Sequence, residues 1–186
     1  MKRILPVVPL FLLLAAALWA AGESPRVGRP LIRTLEKSLD ERIARLWPDN
    51  PVAVVGTARG VYLDGIGAVF TAEVNTASEG ISLMHTSLTP KEKETVHRQK
   101  IERVPQLKKA LQQALVDSAA SLDPVPLDEQ VVIQVVLDRY TWEEQGGYPA
   151  ELIVQAPRRK LLDLKRASGA AVNTATLDAA IRVTEH

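Results

Sequence analysis

A small α+β domain is what the sequence predicts: an antiparallel sheet of about four strands in two hairpins, with helices packed on one face, in the order α-ββ-α-ββ-α. Three observations lead there. The stretches Gly67 to Asn75 and Gln130 to Tyr140 alternate apolar and polar residues with the period of two that a strand requires. The stretches Ile32 to Leu46 and Thr89 to Leu122 repeat apolar residues at steps of three and four, the signature of a helix with one buried side. Each strand has only one apolar face, so helices are needed on one side of the sheet alone, and the other side is open to solvent or to a partner.

The chain opens with Met1, Lys2 and Arg3, then an apolar run densest from Leu10 to Ala21, then the small residues Ala20, Ala21 and Gly22. That order of charged, apolar and small residues is a secretory signal over residues 1–22. The apolar run from Ile4 is long enough to suggest an uncleaved membrane anchor, but Pro6 and Pro9 break its first half. The expectation is an exported protein, periplasmic or extracellular, with membrane contact only if the signal is retained. The chain holds no cysteine, which excludes a lipid-bearing cysteine after the signal and excludes disulfides. A core without covalent staples must then hold residues 31–186 as a single domain, after a linker over 23–30.

Without Lys2 and Arg3 the 23 basic residues become 21, against 22 acidic ones. So balanced a chain is not expected to bind nucleic acid, which calls for a strongly basic surface.

The first helix, with Leu35, Leu39 and Ile43 on its apolar stripe, should end at Pro48. Strands at Val52 to Val55 and Val61 to Leu63 precede Asp64-Gly65, a two-residue hairpin signal, and the return strand alternates Ala68, Phe70, Ala72 and Val74 with Thr71, Glu73 and Asn75. Residues 76–88 read as a loop. Thr89, Pro90 and Glu92 form a capping-box start to a long helix that Pro105 should kink or divide. The second hairpin joins Gln130–Tyr140 to Ala150–Ala156, and a basic helix from Arg158 to Arg166 leads into a weakly ordered tail with a short strand near Ile181.

No stretch carries a strong catalytic or cofactor motif. Gly65-Ile66-Gly67 is followed by a strand rather than by the helix that a phosphate-cradling loop requires. His85, His97 and His186 lack metal-ligand spacing. A hydrolase triad from Ser82, His85 and Glu73 lacks the glycine pattern of a nucleophile elbow. The basic stretches Arg98 to Lys109 and Arg158 to Arg166 are interleaved with acids, as solvated helix faces are. The most concentrated chemistry is the second hairpin, where Tyr140, Trp142 and Tyr148 supply half of the six aromatics beyond residue 22, beside Asp138, Glu143 and Glu144. Aromatics with nearby acids suit sugar or peptide binding, although cross-strand aromatic pairs also simply stabilise hairpins.

The sequence thus leads to a non-enzymatic binding or assembly module of the cell envelope, without cofactor or metal. Its expected contact residues are Glu73, Asp138, Tyr140, Trp142 and Tyr148, with Thr71 and Gln134 beside them on the open face. An envelope protein or a glycan is the expected partner, or a second copy through the open sheet face. The alternative is an envelope hydrolase acting on glycan or peptide, with Asp138, Glu143 or Glu144 as acid and base.

Overall fold

Helix α1 covers Arg29–Ala44, with Pro30 in its first turn, where the N–H that proline lacks would have no helical partner in any case. It belongs to a computed structural model that describes residues 27–49, 53–77, 88–143, 147–167 and 174–186. The expected signal (1–22), His85, Ser82 and Glu144 lie outside the described residues. The helix begins inside the stretch expected as linker and buries Ile32, Leu35, Leu39 and Ile43, the expected stripe.

Strands β1 (Ala53–Val54) and β2 (Arg59–Leu63) pair one after the other along the same edge of β3 (Gly67–Asn75), both antiparallel. The β2–β3 turn takes three residues, Asp64 to Ile66, rather than two, with Gly65 at φ 74°. Gly67 sits at φ 130°, and a Cβ there would collide with the backbone of Gln130. Gly60 leaves room for Phe70 and Ile32, whose atoms stand 2.7 Å from where its Cβ would be.

Helix α2 (Pro90–Ala119) starts with the expected capping box: Glu92 N–H donates to Thr89 Oγ1 at 3.4 Å, and Thr89 N–H donates to Glu92 Oε2 at 2.7 Å. Pro105 does not divide it. The proline lies on the exposed side of the helix, where the carbonyl it leaves without a donor can turn to water. Buried Arg158 closes the other end, donating from Nε to Ala119 O (3.1 Å), from Nη1 to Val125 O (3.0 Å) and from Nη2 to Asp123 Oδ1 (2.7 Å). A guanidinium at a helix C-terminus satisfies carbonyls that have no helical donor.

The expected all-antiparallel sheet is corrected at its centre. Strand β4 (Gln130–Leu137) lies parallel to β3, with Gly67 beside Gln130 and Val74 beside Leu137. The 30-residue helix between them returns the chain to the end of the sheet where β3 began, as a parallel pair requires. Alternating apolar and polar residues could not distinguish the two, because a parallel strand covered on one face alternates in the same way.

Strand β5 (Glu151–Pro157) then pairs antiparallel with β4 and runs into α3 (Arg158–Ala167). The tail expected to be weakly ordered contains α4 (Thr174–Ala180) and an edge strand, β6 (Arg182–Glu185), paired to β5. The result is a mixed sheet five strands wide with four helices among the described residues.

The core lies on one face only. Phe70, Val74, Ile133, Val135, Leu152 and Val154 point into it and meet Leu107, Leu111 and Leu115 of α2. The intervening residues face away from the helices, and Val61 and Val136 are 48% and 42% exposed there.

Two positive-φ glycines near the sheet edge, Gly56 between β1 and β2 and Gly67 at the start of β3, provide a contrast. A methyl added at Gly56 would have nothing within 4 Å, whereas one at Gly67 would meet the Gln130 backbone. Gly56→Ala should cost about 1 kcal/mol and Gly67→Ala about 3 kcal/mol or more, read from urea unfolding midpoints.

Candidate functional site

The parallel pair ends where β3 and β4 both finish, and this end of the sheet gathers most of the polar side chains that the core buries. Lys100 of α2 reaches it with no solvent exposure. Its Nζ donates to Glu143 Oε2 at 2.5 Å and to Asp138 O at 3.0 Å, and lies 4.1 Å from the Tyr140 ring centroid and 5.4 Å from that of Tyr148. The opposite carboxylate oxygen, Glu143 Oε1, meets His97 Nδ1 at 3.2 Å, one helical turn before Lys100. Glu143 closes its own turn as well, accepting the Tyr140 N–H at 2.8 Å. One carboxylate therefore ties the loop after β4 to α2.

The aromatics surround this pair. Trp142 stacks on Tyr140 with centroids 5.3 Å apart and planes 11° from parallel, and the Lys93 ammonium lies 5.5 Å from the Trp142 ring. Tyr140 OH accepts from Asn75 Nδ2 at 2.8 Å, and buried Tyr148 shares a 2.9 Å hydrogen bond with Thr76. Arg103 donates to Thr76 O and lies 4.8 Å from the Trp47 ring, whose Nε1 donates to Gln106 at 2.6 Å.

Burial pushes the Glu143 carboxyl up, but hydrogen bonds from Lys100, Tyr140 N–H and His97 together outweigh it and hold its pKa below the ordinary 4.5. Burial pushes the Tyr148 phenol up to about 12, so it stays neutral. The pair is thus Lys⁺ and Glu⁻, held in an aromatic enclosure. That carboxylate is occupied by three donors, Lys100, His97 and the Tyr140 N–H. Among the described residues no three His, Cys, Asp or Glu side chains gather as a metal would require.

The expected contact residues thus separate into two places. Tyr140, Trp142, Tyr148 and the Asp138 carbonyl belong to the Lys100 enclosure, where Tyr148 is buried. Glu73 and Thr71 are exposed on the helix-free face, with Gln134 half-buried beside Thr71 and donating to Glu151 Oε2 at 2.5 Å. Lys100, Asn75, Thr76 and Arg103 were not among the residues expected from sequence. Lys100 did carry a signal: it precedes Val104, Leu107 and Leu111 on the buried stripe of α2, where a cation needs a partner.

The helix-free face is the second surface. Val61, Val69 and Val132 form a row across three adjacent strands; Ile153 lies one row on, diagonal to Val132, and Val136 a further row on, diagonal to Ile153. The edge strand β2 offers little to a partner strand, since the Gly60 N–H donates to Glu36 Oε1 (2.7 Å), the Gly60 carbonyl accepts from Arg29 Nη1 (2.8 Å), and the Ala58 N–H donates to Asp40 (2.9 Å). Side chains of α1 cover that edge in a way that discourages strand addition. On the helix side, a slot of about 100 Å³ between α1 and α2 is floored by Phe70 and Ile133 and rimmed by the Arg42–Asp117 ion pair at 2.6 Å.

Comparison with protein-family models, with curated proteins and with solved structures finds no match for this chain.

Removing one partner of a buried ion pair leaves the other charge without compensation. Glu143→Ala should therefore destabilise the fold by about 3 kcal/mol or more, while Lys100→Met with Glu143→Leu should recover most of that loss, measured by urea unfolding. The Glu143 contribution is fully present above its unfolded pKa, near 4.5, and is lost as pH falls from there through the depressed folded value. The stability difference between the native chain and Glu143→Ala should shrink over that acidic interval and stay flat from about pH 5 to 7.

Proposed function

We propose that the chain is an exported, non-enzymatic binding or assembly module of the cell envelope, and that its contact surface is the helix-free face of the sheet. One observation carries this reading: the aliphatic row Val61, Val69 and Val132, linked on the diagonal through Ile153 to Val136, lies outside the core cluster of the described residues. Contiguous apolar surface of this kind, rimmed by Arg59, Glu73, Glu151 and Arg182, is what contact with another molecule covers. The Lys100 enclosure supports the face rather than competing with it, because it fixes the loop after β4 and with it the ends of β3 and β4. The signal pattern at residues 1–22 supports export, and an envelope protein or glycan remains the class of partner.

Photo-cross-linking tests the reading. A photoreactive residue at Val132, in the middle of the face, should give a discrete adduct in cells of the source organism, and one at Asp163 on α3 should not. Equal labelling from both positions, or none from Val132, would refute the assignment.

A further inference from the structure

We infer that the slot between α1 and α2 is a binding site for a small monocarboxylate with a short apolar tail, a site separate from the helix-free face. Helix α1 presents Leu35, Ser38, Leu39 and Arg42 to the slot, spaced as one helical stripe, and α2 presents Ala114, Asp117 and Ser118 in the same spacing. The small side chains on the α2 stripe leave the gap. Its floor is Phe70 and Ile133, both buried, which are register partners across the parallel pair. Helices that face each other through small residues ordinarily close up, because a void forfeits contacts on every wall. Here both helices are tied elsewhere. Glu36 and Asp40 of α1 accept from the Gly60 and Ala58 N–H groups at the β2 edge, and Lys100 and Arg158 anchor the two ends of α2. The slot is therefore preformed.

Its walls define the tail. Leu35, Leu39, Ala114, Phe70 and Ile133 are apolar, and the space among them is about 100 Å³. An apolar cavity of about 150 Å³ holds a benzene ring, so this one takes roughly four carbons.

Its mouth defines the head. Arg42 donates from Nη2 to Asp117 Oδ2 at 2.6 Å, and among the described residues its Nε and Nη1 have no partner. Ser38 and Arg42 also line a wider cleft of about 360 Å³ with Arg45 and Leu46. Around this mouth the cations Lys37, Arg42, Arg45 and Lys165 meet two acids. Glu41 lies 3.8 Å from Lys37 and 2.9 Å from Arg45, while Asp117 takes Arg42 on its carboxylate and Lys165 on its carbonyl at 3.1 Å. The surplus is positive, and the unspent edge of a guanidinium matches the two oxygens of a carboxylate. Asp117 beside it opposes a second negative charge, which selects a monoanion over a phosphate dianion.

Carbon-13 methyl spectra of the purified chain, titrated with straight-chain carboxylates, test this. Pentanoate should give saturable shifts at Leu35, Leu39, Ala114 and Ile133, with Val69 and Val132 unmoved. Affinity should rise about fourfold per methylene from propanoate to pentanoate and stop rising by octanoate, whose tail outgrows the slot. Pentanamide, the neutral analogue, should bind roughly tenfold more weakly or worse. Arg42→Gln should remove that preference for acid over amide. Asp117→Asn should tighten pentanoate, a sign opposite to what loosened packing between the helices would give. No saturable shift up to tens of millimolar overturns the site, as does equal affinity for acid and amide. Weaker pentanoate binding to Asp117→Asn, or affinity still climbing at octanoate, overturns it as well.

Discussion

An ammonium group without access to water is tolerated only where opposite charge and hydrogen-bond acceptors reach it, and Lys100 makes that demand on the whole end of the sheet. Its carboxylate partner comes from the loop after β4, its carbonyl partner from Asp138 where β4 has ended, and the rings that enclose it from Tyr140 and Tyr148. Meeting these needs draws the β4–β5 loop onto the first half of α2. The same helix is held at its far end by Arg158, which occupies the carbonyls of Ala119, Asp123 and Val125. The crossover between the two parallel strands is thus fixed at both ends by a buried cation, one bound to a carboxylate and the other chiefly to carbonyls. Apolar contacts of Leu107, Leu111 and Leu115 fill the span between.

This arrangement explains why the two surfaces of the sheet differ. On the helix side, buried Lys100, Arg103, Gln112 and Arg158 each have hydrogen-bond partners, and β2 is covered by Glu36, Asp40 and Arg29 of α1. On the other side there is no covering layer among the described residues, and aliphatic side chains alternate with Thr71, Gln134 and Gln155 across the strands. A sheet with this face simply solvated would favour polar residues at Val69, Val132 and Ile153. Among the described residues no helix packs over them.

Much of the fold was legible in the sequence, for identifiable reasons. Strand β3 and the capped start of α2 were read to the residue because each rests on short-range chemistry: alternation in Gly67–Asn75, and reciprocal hydrogen bonds between Thr89 and Glu92. The parallel pairing of β3 with β4 was not legible, since residue alternation records which side is buried and not which way a neighbour runs. Strand β6 was hard to read because four residues at a sheet edge carry too little pattern, and only Leu152 to Gln155 opposite them make a strand of it. The cluster Tyr140, Trp142 and Tyr148 stood out by composition, but its use did not. The rings enclose a lysine some 40 residues earlier in the chain, a distance over which local pattern carries no information. Glu73 and Gln134 were placed on the open face by alternation alone, and that is where they are.

The central claim is that the helix-free face is the surface this fold leaves for contact. Methyl resonances measure it most directly: carbon-13 methyl spectra of the chain lacking residues 1–22, recorded with increasing amounts of a solubilised cell-envelope extract. The account predicts progressive shifts at Val69, Val132, Val136 and Ile153, with Leu107, Leu115 and Leu152 of the core unmoved. Shifts confined to residues of the helix layer, or none at any of the face methyls, would contradict it.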